Sequence, residues 1–558
     1  MAVVTNQGDP PLTKRFTAHR YRVILRILLL AIFVFLVARL SWLSDDSLIT
    51  LRTALNLTHG WGPGFNAWES VQAYTHPLWF LTWVAMGSIT GEWIISILVF
   101  SLVCSAIAVA IALWLAPNAV AILVTFAALL FSSAFADFST SGLENPMSFL
   151  FLGVLFLLVQ PRNERRLIPA GVVPALVGLT SAALLLTRLD LALFVGPVLL
   201  WYVIYHRQRI RDLVLAGSFL LVPILAWGLW SLTTYGALLP NTYTAKTNLL
   251  IPQTELTIQG FRYVVFSIER DLVSGLAILA AILLALFLGT WLMRVWALGI
   301  ALYVAYAMWI GGDFMAGRFL AVPVYVSALL IAASPVWRRS SIGVGDGAPQ
   351  REALGAAAVG SALLLMIPVL GATGLTPSAV NGPSSERFQD IAGIGDERGY
   401  WTTQFRHGWY WFMTLGTSPP VDGFRALDEV ASENGRLDGL SELVSTNSRL
   451  QPLREYAALW PTYAGETGPT SVGVSCGSLA TGGLLTGPQV HWIDECALTD
   501  AYLAEQAYSS PPFRWVPGHF VRRIPPGYEF ATLTGDTSLM ADPGDRAQLE
   551  RVWERIRR

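Results

Sequence analysis

Charge is scarce in this chain. Of its 558 residues, only 13% are Asp, Glu, Lys or Arg, roughly half of what a soluble domain carries. That excludes a purely water-soluble protein, because so apolar a chain would have to expose large sticky patches. Neither sign dominates, with a formal net charge of −1. No basic field is therefore available for nucleic acid, which is not an expected partner. Cysteine is nearly missing, at 3 residues, which excludes a small disulfide scaffold. What is abundant excludes disorder: 54% of residues are hydrophobic and 12% aromatic, enough to bury a large core.

The charges are unevenly placed. Residues 377–558 hold 22 of the 38 acidic and 15 of the 37 basic residues. This predicts a membrane domain over residues 1–376 and a water-soluble domain over residues 377–558. The junction falls near Thr373–Pro383, a stretch rich in Gly, Pro and Ser. The soluble part alternates apolar stretches with Gly/Pro turns, which predicts a mixed α/β domain.

Eleven apolar runs qualify as membrane spans: Val23–Leu40, Ile94–Leu115, Ala119–Phe135, Pro146–Leu158, Ile168–Leu186, Leu189–Tyr205, Val214–Thr233, Leu272–Leu292, Val295–Ile310, Phe319–Val336 and Ala353–Val369. The first run is long and is followed by Arg39 and Trp42 rather than small residues, so it reads as a retained span and not a cleaved signal. Basic clusters lie at Lys14 to Arg26, Arg162 to Arg166, Arg207 to Arg211 and Arg338–Arg339. If all of them face the cytoplasm, the eleven spans alternate without conflict. The N-terminus is then cytoplasmic and residues 377–558 are extracytoplasmic. Pro77–Thr90 is apolar but short, and a crossing there would invert two basic clusters. It is expected as an outer interfacial helix, with Trp79 and Trp83 at the headgroups.

With that topology, the ionisable residues of the membrane part gather at one face. Asp45, Asp46 and Glu69 lie in the first outer loop, and Glu144 in the second. Asp190, Lys246, Asp313 and Arg318 lie at later span ends or outer loops. Charges at membrane depth are costly and tend to be functional, although acidic loops outside also follow from topology alone. The Asp45–Asp46 pair is the sharpest signal. One carboxylate could act as a general base on an incoming hydroxyl. Both could instead hold a divalent cation with Glu69 or Glu144, or cap the helix beginning at Ser47. Aromatic residues beside Glu69 and His76 suit a sugar, or an interfacial anchor. His519, in a Gly-His turn, either touches the acceptor or is simply solvated. Cys476 and Cys496 lie in the soluble part, where they could be bridged or be two thiols.

These strings resemble a known family. Asp45–Trp79 (DDSLITLRTALNLTHGWGPGFNAWESVQAYTHPLW) is similar to the first outer loop of polyprenyl-phosphate-sugar-dependent glycosyltransferases of the GT-C class. Six further strings narrow the resemblance: FSTSGLE (138–144), TRLD (187–190), LPNTYTAK (239–246), GGDFMAGR (311–318) and, near the end, IDECALTD with VPGH (493–500 and 516–519). Together they resemble the actinobacterial terminal β-(1→2) arabinofuranosyltransferase family. The resemblance implies a mainly α, GT-C-type bundle in the plasma membrane. It implies transfer of arabinofuranose from decaprenylphosphoryl-arabinose to cell-wall arabinan of arabinogalactan or lipoarabinomannan, on the outer face. It places Asp45 and Asp46 as catalytic, with a divalent cation left open. Arg188, Lys246 and Arg318 become donor-phosphate ligands, and Glu69, His76, Glu144, Asp190, Asp313 and His519 substrate contacts. Three other readings compete. Another GT-C transferase would move a different polyprenyl-phosphate sugar to a different glycan, lipid or protein acceptor. A transporter would show internal repeats, and none is seen. A non-catalytic glycan-binding protein would not need Asp45–Asp46.

Overall fold

The structure is a computed structural model that describes residues 12–160, 168–339, 393–404, 436–437, 453–465, 467–508 and 516–557. The expected span Ala353–Val369 and the junction at Thr373–Pro383 lie outside the described residues. The described residues up to 339 are mainly helical: α1 (Leu12–Arg39), α2 (Asp45–Thr58), α3 (Pro77–Thr90), α4 (Trp93–Leu115), α5 (Ala119–Leu130), α6 (Ser133–Asp137), α7 (Asn145–Val159), α8 (Val173–Thr187), α9 (Ala192–His206), α10 (Ile210–Tyr235), α11 (Asn241–Thr247), α12 (Gln253–Arg270), α13 (Leu272–Phe287), α14 (Trp291–Trp309), α15 (Arg318–Ala333) and α16 (Val336–Arg339). The later helices are α17 (Glu397–Gln404), α18 (Leu453–Ala458), α19 (Leu479–Thr486), α20 (Ala501–Glu505), α21 (Tyr528–Thr534) and α22 (Pro543–Ile556).

Among the described residues, five helices are long and apolar enough to cross a bilayer: His19–Arg39, Trp93–Leu115, Leu189–His206, Ile210–Tyr235 and Trp291–Trp309. The pair α12 and α13 makes a sixth if it is one broken span. The protein is therefore a multi-pass membrane protein. Five shorter apolar helices (α3, α5, α7, α8 and α15) complete the bundle, so the described residues do not fix the eleven crossings expected from the sequence.

Two elements depart from expectation for identifiable reasons. The run Ala119–Phe135 is not one helix, because α5 stops at Leu130 and α6 starts at Ser133. Ser132 accepts a bond from Phe135 N at 3.0 Å and Asp271 accepts one from Ala134 N at 2.9 Å. These side chains satisfy the first amide groups of a new helix. The same Asp271 accepts from Ser274 N at 3.1 Å and so starts α13, which is bent 107° from α12. The second departure is α3. Trp79 and Trp83 are fully buried, and Trp79 Nε1 donates to Gly142 O at 2.9 Å. They are core residues and not headgroup anchors. The helix is apolar on every side, so its composition could not indicate which face would be covered.

Among the described residues, the C-terminal part carries three parallel strands in the order β1 (Arg436–Leu437), β2 (Ser471–Ser475) and β3 (Val490–Asp494). Val472 stands opposite His491 and Ser475 opposite Asp494. The crossover between β2 and β3 is α19, as a parallel pair requires. One apolar cluster around the sheet joins Val472, Ile493, Tyr502 and Val552. A second, much larger core is continuous with the membrane helices and takes in Trp460, Leu484 and Trp492. Arg52 of α2 crosses this boundary: its Nη2 donates to Val490 O at 2.8 Å and its Nε to Phe65 O at 2.8 Å. Its guanidinium also lies over the Phe65 ring at 4.7 Å. Cys476 and Cys496 are bonded to each other, with Cα atoms 5.0 Å apart, and Cys104 is buried in α4.

Candidate active site

Ser44 caps α2 by accepting from Ser47 N at 3.2 Å. Asp45 and Asp46 therefore occupy its first turn rather than capping it, and are favoured there by the helix dipole. Successive residues on a helix point about 100° apart, and the two carboxylates reach different neighbours. Asp45 Oδ1 accepts from Thr481 N at 2.8 Å and from Thr481 Oγ1 at 2.6 Å, while Oδ2 accepts from Ala480 N at 3.2 Å. It is held on the start of α19. Asp46 Oδ2 instead faces Arg318 Nη1 at 3.2 Å.

Arg318 opens α15 and is the hub of the site. Its Nη1 also meets Asp313 Oδ2 at 3.4 Å, and its Nη2 meets Glu144 Oε1 at 3.7 Å. Asp313 and Arg318 are brought together by the Gly-rich turn between α14 and α15, where Gly311, Gly312 and Gly317 have φ of 92°, 75° and 79°, a conformation that glycine adopts without strain. Glu144, just before α7, is 1% exposed. Its Oε1 lies 2.9 Å from Arg188 Nη1 and its Oε2 3.4 Å from His76 Nδ1. His76 Nε2 is 2.8 Å from Thr50 Oγ1 on α2. Arg188 grips Asp190 with two bonds, at 3.0 and 2.5 Å. Tyr303 OH completes that corner, donating to Asp190 Oδ2 at 2.9 Å. Phe319 lies beneath the Arg188 guanidinium at 5.3 Å.

The C-terminal part supplies the opposite wall. Val516 to His519 form a turn closed by His519 N to Val516 O at 2.9 Å. Pro517 and Gly518, at φ 80°, suit the two central positions of a type II turn. The His519 ring stands edge-on to Phe314 at 4.3 Å, and its buried Nδ1 has no hydrogen-bond partner among the described residues. Lys246, exposed on α11, passes the bare face of Gly518, where a Cβ would lie 3.3 Å from its Nζ. Asn241 and Ala245 fasten α11 to the C-terminal part: Asn241 Nδ2 donates to Ala497 O at 2.9 Å, and Arg522 Nη2 to Ala245 O at 2.5 Å.

The electrostatics separate these groups. Burial opposes ionisation of Glu144, yet His76, Arg188 and Arg318 outweigh it and hold the carboxyl down at about 2. Burial lowers His76 and His519 below the usual imidazole range, against the pull of nearby carboxylates. Asp45 is pushed up to about 6, by burial first and in smaller part by Asp46, against the bonds from Thr481 and Ala480.

The raised Asp45 value has a definite sign. Between about pH 4 and 6, the folded protein holds a proton that the unfolded chain has released, so stability falls as pH rises through this window and levels off above it. Thermal unfolding across pH 4–8 should show that slope in the wild type. It should be flattened in Asp45→Asn, which cannot titrate.

Most of the sequence-predicted site residues converge here: Asp46, His76, Glu144, Arg188, Asp190, Lys246, Asp313, Arg318 and His519. Glu69 does not. Its Oε1 faces Arg557 Nη2 at 3.4 Å, and Ser70 N donates to Ile556 O at 2.7 Å. Glu69 thus joins the first loop to the end of α22. Asp45 is occupied by α19, Asp46 faces a guanidinium, and no group of three or more His, Cys, Asp or Glu is placed to hold a metal among the described residues.

Sequence reasoning missed Thr50, Tyr303, Phe314 and Glu397. Glu397 belongs to a segment clipped beside the site by Gly395, whose N donates to Phe314 O at 2.9 Å and whose O accepts from Ala316 N at 3.0 Å. Burial, with Asp46, Asp313 and Asp45 facing it, keeps Glu397 well above the usual carboxylate range. Its Oε2 accepts from Trp401 Nε1. The Glu397–Trp401 spacing of four residues on a helix was the available signal.

No protein-family model matches the chain. It is 29% identical over 337 residues to a terminal β-(1→2)-arabinofuranosyltransferase of Corynebacterium glutamicum, a match covering 53% of this chain and 48% of the relative. It is 31% identical over 229 residues to the Mycobacterium tuberculosis protein of the same name, covering 37% of this chain and 35% of that one. The chain thus spans about half or less of the length of these curated relatives. The crystal structure of ArnT from Cupriavidus metallidurans bound to undecaprenyl phosphate superposes with a TM-score of 0.49 at 12% identity, over 86% of this chain and 87% of that one. By sequence, this multi-pass membrane chain is similar to curated proteins named terminal β-(1→2)-arabinofuranosyltransferase.

Proposed function

We propose that the protein is a GT-C-type membrane glycosyltransferase that moves arabinofuranose from a polyprenyl-phosphate donor to a cell-wall arabinan, forming a terminal β-(1→2) linkage. The observation that carries this reading is the meeting of Asp46, Asp313, Arg318, Lys246 and His519 at one end of the bundle, between membrane helices and the C-terminal part. A lipid-linked sugar arrives at that level, and a polymeric acceptor arrives from the other side. The names of the relatives supply the sugar and the linkage.

The donor phosphate sits against Arg318 and Lys246, where Arg offers a two-pronged fork and Lys a point charge. Drawing Arg318 toward the phosphate loosens its contact with Asp46, leaving that carboxylate to accept a proton. The acceptor hydroxyl loses its proton to Asp46, its oxygen bonds to the anomeric carbon, and the bond from that carbon to the phosphate oxygen breaks. Polyprenyl phosphate leaves as the anion. Asp45 fixes the first turn of α2, and Glu144 with Arg188 and Asp190 braces Arg318. The same reading puts the N-terminus in the cytoplasm and residues 377–558 outside.

The test is direct. Purified protein in nanodiscs, given polyprenyl-phosphate arabinose and a synthetic arabinan, should release polyprenyl phosphate and lengthen the acceptor. No transfer with that pair would overturn the reading. Lys246→Met should raise the donor KM about ten-fold, equivalent to roughly 1.4 kcal/mol of lost binding, with a smaller change in kcat. A reporter fused after Arg558 should be external.

A further inference from the structure

Four helices that carry the site run away from it to a second feature. Glu144, Arg188, Asp190 and Tyr303 lie at or near the site ends of α7, α8, α9 and α14. Leu158, Pro174, His206 and Trp291 lie at their other ends. At about 1.5 Å per residue the two ends of α7, α8 and α9 are roughly 20 Å apart. There the helices splay into a cavity of about 1000 Å³, at the upper end of what small-molecule sites enclose.

The walls are apolar and aromatic: Leu200, Trp201 and Tyr205 on α9, Pro174 on α8, and Trp291 on α14. Trp201 and Tyr205 stack at 5.0 Å. The mouth is basic. Arg207 and Arg209 lie on the α9–α10 turn, both exposed. Arg209 shares its charge with Asp212 at 4.0 Å, whereas Arg207 has no ion pair among the described residues. An apolar slot between spanning helices with cations at its lip matches an acyl chain below and an anionic headgroup above. Zwitterionic lipid would fill the slot but gain less at the lip.

We infer that this cavity is a binding site for one anionic phospholipid, its headgroup phosphate on Arg207 and Arg209 and a chain against Trp201 and Trp291. It lies at the bundle end opposite the acidic cluster, the face that the charge pattern assigns to the cytoplasm. It is separate from the donor site and independent of the transfer reaction.

Native mass spectrometry of the delipidated full chain, titrated with phosphatidylglycerol or phosphatidylcholine, tests this. One phosphatidylglycerol should bind ahead of phosphatidylcholine. Arg207→Gln should weaken it about five-fold, the worth of one cation near a headgroup. Val295→Trp, which fills the slot without touching a charge, should remove that lipid while unfolding temperature is retained. Equal binding of the two lipids overturns the inference, as does wild-type binding by both variants. Displacement by glycerol phosphate alone would also overturn it, since the slot would then contribute nothing. If Arg207→Gln fails to fold, the headgroup comparison and Val295→Trp decide.

Discussion

Asp46→Asn should lower sugar transfer by roughly 10²–10⁴-fold, the range a positioned general base contributes, while the protein remains folded. Asn keeps the shape of the side chain and can still accept from Arg318, so the donor KM should change little. Arg318 also keeps Asp313 and Glu144 as partners, and no buried cation is stranded. The loss should therefore fall on kcat. The measurement is single-turnover transfer in nanodiscs, with the unfolding temperature read on the same sample. A variant with wild-type kcat would remove Asp46 from the base role. Asp45→Asn is the matched control: its carboxylate is turned away onto α19, so its effect should appear in stability before it appears in kcat.

Glu144→Ala should have the largest effect on the fold. Glu144 is 1% exposed and faces Arg188 at 2.9 Å and Arg318 at 3.7 Å. Removing one member of a buried charge set leaves the others without compensation and costs about 3–5 kcal/mol. Arg188 retains Asp190, which places the cost toward the lower end. Glu144→Gln should recover part of it, because the amide oxygen still accepts from Arg188. The pH dependence separates charge from shape. The carboxyl is held at about 2 in the folded state, below its ordinary value near 4.3. Its contribution is then fully present above about pH 4.3 and is lost as pH falls toward 2. Wild-type protein should lose unfolding temperature across that window, and Glu144→Gln should lose less. Equal acid sensitivity of the two would show that Glu144 is not the group responsible.

The membrane character and most of the site were legible because charge is expensive in an apolar chain. Asp190, Asp313 and Arg318 stood out at span ends for that reason alone, and the structure brings them together. Other features could not be read. Thr50, Tyr303 and Phe319 are ordinary core residue types whose importance comes from touching His76 or Arg188. Asp45 and Asp46 looked equivalent as neighbours, and their partners lie 436 and 272 residues further along the chain. Glu69 looked like a substrate contact because aromatic residues surround it, but its partner sits near the far end of the sequence. Trp79 and Trp83 fit an interfacial pattern and are instead core, since a helix apolar all round carries no record of which side is covered.

The separate fates of Asp45 and Asp46 bear on how such a protein can be inherited or re-engineered. One peptide unit joins the residue facing Arg318 to the residue held by Thr481. A C-terminal part grafted from elsewhere would have to present a helix start and a hydroxyl at that point. Without them it would strand a carboxylate beside the Asp46–Arg318 pair. Arg52 adds a second condition, a backbone carbonyl where Val490 now stands. The two parts are therefore poor candidates for shuffling as modules. Change in the C-terminal part would be expected to come by substitution within it rather than by exchange of it.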